Sequence, residues 1–499
     1  MKQYILALDQ GTSSSRAVVF DSDFHIKGFA QQEFPQIYAN DSWVEHDPEE
    51  IWKSQYYAAL RAIRYASIRP QEIASIGITN QRETTILWDR KTGKPIYNAI
   101  VWMCRRTSDY CTRLKEEGYT EIIRQKTGLI PDSYFSATKI MWLLDHIPGA
   151  REKAEKGDLM FGTVDSWLLY RLSGGAHKTD YTNAARTMLF NIHSGRFDDD
   201  LLELLHIPAS LLPEVLPSNS IFGYTQPSLF DGCSIPIGGI AGDQHAALLG
   251  HGCLAPGMAK NTYGTGCFLL MNTGTTPIIS QKGLLTTIAF NLDGTSYYAL
   301  EGSIFNAGST VQWLRDELKI LDSSAQSEAL AASVPDTDGV YIVPAFSGLG
   351  APYWDMYARG LMIGITRNTN RTHITRAVLE SIAFQVHAVL QAMQEDSGCI
   401  LEALEVDGGA CANNLLMQFQ ADILNKQIIR PKNPEATALG AAFLAGLSSG
   451  ILNSPADIAS HSEVEAIFIP KMQEDQRNKL LFYWNKAVSR AAHWAEPLS

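Results

Sequence analysis

"ILALDQGTSSSRAVVFD", residues 5–21, sets two apolar runs on either side of a polar centre. The first run ends at Leu8 and the second opens at Ala17-Val18-Val19-Phe20, which reads as strands over 3–9 and 16–21. A bare hairpin needs about two to five connecting residues, usually with Asn-Gly or Asp-Gly chemistry. The seven residues from Asp9 to Ser15 are small donors and acceptors instead. Gly11 lets a ligand approach the main chain, and the N–H and hydroxyl groups of Thr12, Ser13 and Ser14 can bond phosphate oxygens. Arg16 adds positive charge, and Asp9 at a strand end suits Mg²⁺ bridging nucleotide phosphates. A solvated turn explains the same residues.

The second half repeats this arrangement. "GMAKNTYGTGCFLLMNTG" is again strand, small Gly-rich turn, strand, with Thr262-Tyr263-Gly264-Thr265-Gly266 in the place of the first tip. The repeat favours the phosphate reading of both tips. Around them, strand and helix patterns alternate. A third strand follows at 26–34, and "HDPEEIW" starts a helix with Asp47 as cap, Pro48 first and Glu50 completing a capping box. "IASIGIT" reads as a buried strand, 105–205 as mainly helical, and "IPIGGIAGDQHAALLG" as strand, Gly-Asp turn, helix. Further on come "YYALEGSIFNAGSTVQWLRDEL" (strand into helix), a long helix over 373–396 and "LEVDGGACANNLLMQFQADIL" (strand, double-Gly turn, helix). Two related α/β domains, 1–251 and 252–499, are expected to face one another across a ligand cleft.

Bulk properties narrow the function. At 499 residues the chain exceeds one ordinary core. A net charge of −12 argues against nucleic acid as the main partner. Seven scattered cysteines without a C-x-x-C pair read as free thiols of a reducing, cytoplasmic setting. Asp9 interrupts the N-terminal apolar run, so no signal peptide is expected, and "ALGAAFLAGLSSGIL" is too short to insert stably in a membrane. Neither G-x-x-x-x-G-K-[ST] nor a strand-linked G-x-G-x-x-G is present.

Several further stretches could carry chemistry. Gly408 and Gly409 allow a base or ribose to lie on the main chain, with Asn413 in reach, although a tight strand–helix connection also needs them. Gly308 and Gln312 are weaker signals of the same kind. Arg82-Glu83 reads slightly better as a solvent-facing loop than as a fork for polyol hydroxyls. Trp102 reads as core. Asp243 reads first as an N-cap, but a carboxylate there also suits a general base taking the proton of an attacking alcohol, and both roles can coexist.

Together, "ALDQGTSSSRA", "WVEHDPEEIW", "GITNQRETT", "AIVWMCRRT", "YFSATKIMWLLDH", "TDYTNAARTMLFNI", "AGDQHAAL", "PAFSGLGAPYWD" and "VDGGACANN" closely resemble the FGGY carbohydrate kinases, within them the glycerol-phosphorylating branch. The resemblance implies two ribonuclease H-like domains of the actin-like ATPase type. It also implies transfer of the ATP γ-phosphoryl group, with Mg²⁺, to the 3-hydroxyl of glycerol. Carried over by motif, Arg82, Glu83, Tyr134, Asp243 and Gln244 would bond glycerol, and Trp102 and Phe268 would pack on its carbon side. Thr12, Ser13, Ser14, Arg16 and Thr265 would meet phosphates, and Gly308, Gln312, Gly409 and Asn413 the nucleoside. Asp243 would be the base, and the family often forms dimers or tetramers. The resemblance thus displaces the solvent-loop reading of Arg82-Glu83. One departure is "PSLFDGCSIP", which lacks the basic residues of the family's inhibitory sugar-bisphosphate loop. The competing readings are a kinase for another polyol or ketose and an actin- or chaperone-like ATPase.

Overall fold

The computed structural model describes residues 3–40 and 42–496. Its N-terminal half is built on a six-stranded sheet. In chain order the strands are β1 (Tyr4–Gln10), β2 (Ser14–Phe20), β3 (Ile26–Glu33), β4 (Ile73–Asn80), β5 (Gly223–Tyr224) and β6 (Pro236–Gly242). Their spatial order is β5-β6-β4-β1-β2-β3. The C-terminal half has seven strands: β7 (Ala259–Tyr263), β8 (Cys267–Gly274), β9 (Leu285–Leu292), β10 (Thr295–Ile304), β11 (Ala403–Asp407), β12 (Gln427–Pro431) and β13 (Val464–Phe468). These run in the order β9-β10-β8-β7-β11-β12-β13.

The two sheets share one wiring. In each, an antiparallel hairpin (β1–β2, β7–β8) carries a further antiparallel strand outside its second member, β3 or β10. In each, the hairpin's first strand pairs in parallel with a later strand, which pairs in parallel with another: β1-β4-β6 and β7-β11-β12. Parallel neighbours require crossover helices, which cover the sheet faces. This is the ribonuclease H-like arrangement twice over, with β9 added at the edge of the second copy.

The hairpin tips are shorter than the sequence suggests. β1 and β2 stay paired through Asp9–Arg16 and Gln10–Ser15, so only Gly11, Thr12 and Ser13 form the first tip. Gln10 and Ser15 are buried, and continuing the ladder satisfies main-chain groups that a wide loop would leave bare there. The second tip is Gly264, Thr265 and Gly266.

Helix α1 (Pro48–Tyr65) starts as expected, with Asp47 accepting from the Glu49 N–H at 2.8 Å. Glu50 does not complete a capping box; it bonds Lys53 at 2.9 Å. α2 (Ser136–His146) and α3 (Val164–Ser173) lie in the long insertion between β4 and β5. α4 (Asp243–Gly250) follows β6 without an intervening turn. Gly242 is therefore the N-cap and Asp243 the first helical residue, which corrects the capping role given to Asp243. α5 (Gly308–Asp316), α6 (Arg371–Ser397), α7 (Asn414–Leu424), α8 (Ala436–Ser449) and α9 (Glu474–Ala491) belong to the second half.

α8 explains the small-residue run. It is buried, and it packs chiefly against α4, β1, β4 and β6 of the first half. A Cβ at Gly440 would sit 1.8 Å from the Ala246 carbonyl oxygen, and one at Gly77 would sit 2.1 Å from that of Ala441. Alanines and glycines let these main chains touch. The resulting core spans both halves, from Ile5 and Val18 through Leu248 and Phe443 to Leu270 and Phe290. No described helix is long and apolar enough to cross a membrane.

Candidate active site

Strand ends and helix starts from both halves converge between the tips. Arg82 and Glu83 leave the end of β4 and are buried, with 3% and 1% of their surfaces exposed. The solvent-facing loop expected from local sequence is therefore absent. Arg82 is held by Glu301 of β10, with Nη1 and Nη2 donating to the two carboxylate oxygens at 2.6 and 3.2 Å. It also donates to the Tyr134 hydroxyl at 3.1 Å, and its Nε lies 3.2 Å from Asp243 Oδ1. Arg186 adds a second fork, donating through Nε to Glu83 at 2.7 Å and through Nη2 to Glu301 at 3.0 Å. Two guanidinium groups thus meet three carboxylates, which is what lets so much charge be buried. Burial works against the charged form of Glu301, but Arg186 and Arg82 hold its pKa at about 2.

Asp243 faces the cleft and is partly exposed. Burial raises its pKa above the ordinary aspartate value, while Arg82 pulls in the opposite direction. A carboxylate made more basic yet kept oriented by a guanidinium suits proton abstraction. Beside it, Trp102 packs edge-on against Tyr134, ring centroids 5.5 Å apart, and against Phe268 of β8 at 6.4 Å. The three rings form one cluster, joined to the charged network where Arg82 donates to the Tyr134 hydroxyl, and Asp243 is the partly exposed carboxylate of that network. Trp102 is only half-buried, and its indole N–H donates to Thr12 Oγ1 at 2.9 Å, tying this cluster to the first tip. Trp102 thus packs on the core of the insertion, as expected, and is at the same time partly exposed beside the first tip.

At the first tip Ser13 is exposed, while Ser14 Oγ lies 2.9 Å from Gln31 Nε2 and accepts from it. Arg16 does not point freely outward; it lies 3.4 Å from Glu435 and 3.9 Å from Asp9. Asp9 is buried, and desolvation lifts its pKa to about 7, with Glu435 and Asp243 adding to the rise against Arg16. Arg16, at 3.9 Å, only partly offsets the cost of burying this carboxylate. The second tip is stitched to the start of α5. The carbonyl of Gly264 accepts from the Gly308 N–H, and that of Thr265 from the N–H groups of Ala307 and Ser309, all at 3.0 Å. Thr265 and Gly308 are therefore adjacent, with Gln312 exposed one turn on.

The double glycine divides its duties. Gly408 has φ +88°, and a Cβ there would lie 2.5 Å from the Tyr263 carbonyl oxygen. Gly409 faces open space. Asn413 caps α7 by accepting from the Leu416 N–H at 2.9 Å, which leaves its amide N–H groups available. Between the tips Lys260 of β7 reaches Gln244 of α4.

Sequence reasoning missed Glu301, Arg186 and Lys260. Each is a lone charge in an otherwise apolar or small-residue stretch, and that mismatch was the available signal.

The profile of the FGGY family of carbohydrate kinases, N-terminal domain, matches residues 4–250, and that of its C-terminal domain matches 259–449. The chain belongs to the FGGY family. Among curated FGGY relatives, a glycerol kinase from Caldanaerobacter subterraneus subsp. tengcongensis is 59% identical over 99% of this chain and 100% of its own. Glycerol kinase 2 of Thermotoga maritima is likewise 59% identical, over 99% of each chain. The crystal structure of Plasmodium falciparum glycerol kinase with ADP superposes with a TM-score of 0.93 at 40% identity, covering 98% of both chains. A Lactobacillus acidophilus xylulose kinase shares the FGGY fold at 22% identity and a TM-score of 0.87, over 97% of both chains.

Proposed function

We propose that this protein transfers the γ-phosphoryl group of ATP to a terminal hydroxyl of glycerol, giving sn-glycerol 3-phosphate. The observation that carries the reading is the Arg82–Asp243 pair beside the Trp102–Tyr134–Phe268 ring cluster, the two joined by the Arg82–Tyr134 hydrogen bond. Together they offer donors and acceptors to hydroxyls and apolar surface to a short carbon chain. The likeness to glycerol kinases over nearly the whole chain supports the same substrate.

In the mechanism, glycerol lies against the first half, bonded by Arg82, Glu83, Tyr134, Asp243 and Gln244. Asp243 takes the proton from the attacking hydroxyl, and its raised pKa makes that transfer easier. Main-chain N–H groups and hydroxyls of Thr12, Ser13, Ser14 and Thr265, with Arg16, stabilise charge on the phosphates as it shifts. Gly308, Gln312, Gly409 and Asn413 receive the nucleoside end. Holding both substrates in line and excluding water supplies much of the acceleration and limits wasteful ATP hydrolysis.

Asp9 fits a divalent cation, being a buried carboxylate with, among the described residues, no closer cationic group than Arg16 at 3.9 Å. Mg²⁺ held there, directly or through water, would neutralise phosphate charge. Seven free cysteines, four of them buried, are consistent with a reducing cytoplasm, and a homo-oligomer is the expected assembly.

The test is a coupled ADP-release assay with glycerol, xylulose, gluconate or no acceptor. Glycerol-dependent turnover at least a hundredfold above the others supports the reading. Preference for a ketose makes the protein a different FGGY kinase, and turnover independent of any acceptor would make it an ATPase.

A further inference from the structure

Lys260 is fully buried on β7, and among the described residues no carboxylate lies within ion-pair distance of its ammonium. Nζ instead donates to Gln244 Oε1, to Thr262 Oγ1 at 2.9 Å and to the Phe268 carbonyl at 3.3 Å. Three donors therefore meet three acceptors, one of them across the boundary between the halves. An ammonium has no acceptor to offer. The Gln244 amide must thus turn its oxygen toward Lys260, because the opposite orientation would set N–H against N–H in a buried place. Its Nε2 is then directed away from the lysine. The same ammonium holds the Thr262 hydroxyl at the base of the second tip and the main chain that carries Phe268.

We propose that Lys260 is a positioning residue for the polyol, fixing the Gln244 amide so that this position presents an N–H donor rather than a carbonyl to the substrate. The inference rests on the reading of Gln244 as a polyol contact. Without Lys260 the amide is free to flip, and a hydroxyl oxygen that accepts from Nε2 loses its partner for part of the time. Gln244 is read as a contact of the polyol and not of the nucleotide, so the part of the effect that passes through its amide falls on one substrate.

The test is a double-mutant cycle of Lys260→Met and Gln244→Ala, with KM for glycerol and for ATP measured separately. Alone, Lys260→Met is expected to raise the glycerol KM about five- to tenfold while the ATP KM stays within twofold. On the Gln244→Ala background it should change the glycerol KM by less than twofold, because the amide it orients has gone. Lys260→Gln, which keeps one N–H donor for Gln244, should fall between the parent and Lys260→Met; it replaces Lys260→Met in the cycle should that variant not fold. Equal effects on both backgrounds, equal effects on both substrates, or an unchanged glycerol KM would overturn the proposal. A parent enzyme that does not phosphorylate glycerol would instead overturn the functional reading itself.

Discussion

Glu301 answers for two buried guanidinium groups at once, so removing it leaves Arg82 and Arg186 short of charge in a place water does not reach. Breaking a buried pair by deleting one partner costs about 3–5 kcal/mol. Glu301→Ala should lose that much in denaturant unfolding and most of its turnover; a loss under 1 kcal/mol would mean the pairing is dispensable. Because the folded-state pKa of about 2 lies below the ordinary 4.5, the stabilisation is complete above about pH 4.5. It is lost as pH falls toward 2. Asp243 is shifted the other way and must be deprotonated to act. Its activity should therefore fail as pH drops through a value above the usual aspartate range of about 4. Asp243→Asn should lower kcat by about two to four orders of magnitude with the fold intact, and near-parental turnover would reject its role as base. These residues also show where sequence reading stops. Arg82-Glu83 looks like a surface loop because its neutralising partners are Glu301, 219 positions away, and Arg186, 103 positions away from Glu83. No local pattern contains that compensation.

Among elements, the hairpins were readable and their exact length was not. Small residues between two apolar runs mark a turn, but whether Gln10 and Ser15 pair depends on burial that β3, β4 and neighbouring helices supply. Glycines separate in the same way. Gly440 lies where two helices touch, and Gly409 faces open space, yet both look alike in the chain. Gly440→Val should destabilise by about 1–3 kcal/mol or more through overpacking. Gly409→Val should leave the melting temperature within a degree or two and raise the ATP KM severalfold. The reverse pattern, a stability loss at 409 or a neutral change at 440, would show that the glycine contacts are misplaced.

At the scale of the whole molecule, a core shared by both halves joins them away from the tips, while the polar cleft lies between. Two-fold wiring was legible because each half carries its own strand–tip–strand signature, whereas the crossing of α8 onto the first half's sheet was not, since its sequence shows only that it is small and apolar. "PSLFDGCSIP" forms a short helical turn and bend without a Lys or Arg, Asp231 taking a positive φ of 48°. Fructose 1,6-bisphosphate at low concentrations should accordingly leave the rate unchanged, and measurable inhibition would contradict this.

The most direct test of the account is a crystal structure with glycerol and a non-hydrolysable ATP analogue bound together. The phosphates should rest on both three-residue bends, Gly11–Ser13 and Gly264–Gly266, with one glycerol hydroxyl within hydrogen-bond distance of the Asp243 carboxylate and aimed at the γ-phosphorus. A nucleotide seated away from either bend, or a glycerol whose hydroxyls do not reach Asp243, would contradict it.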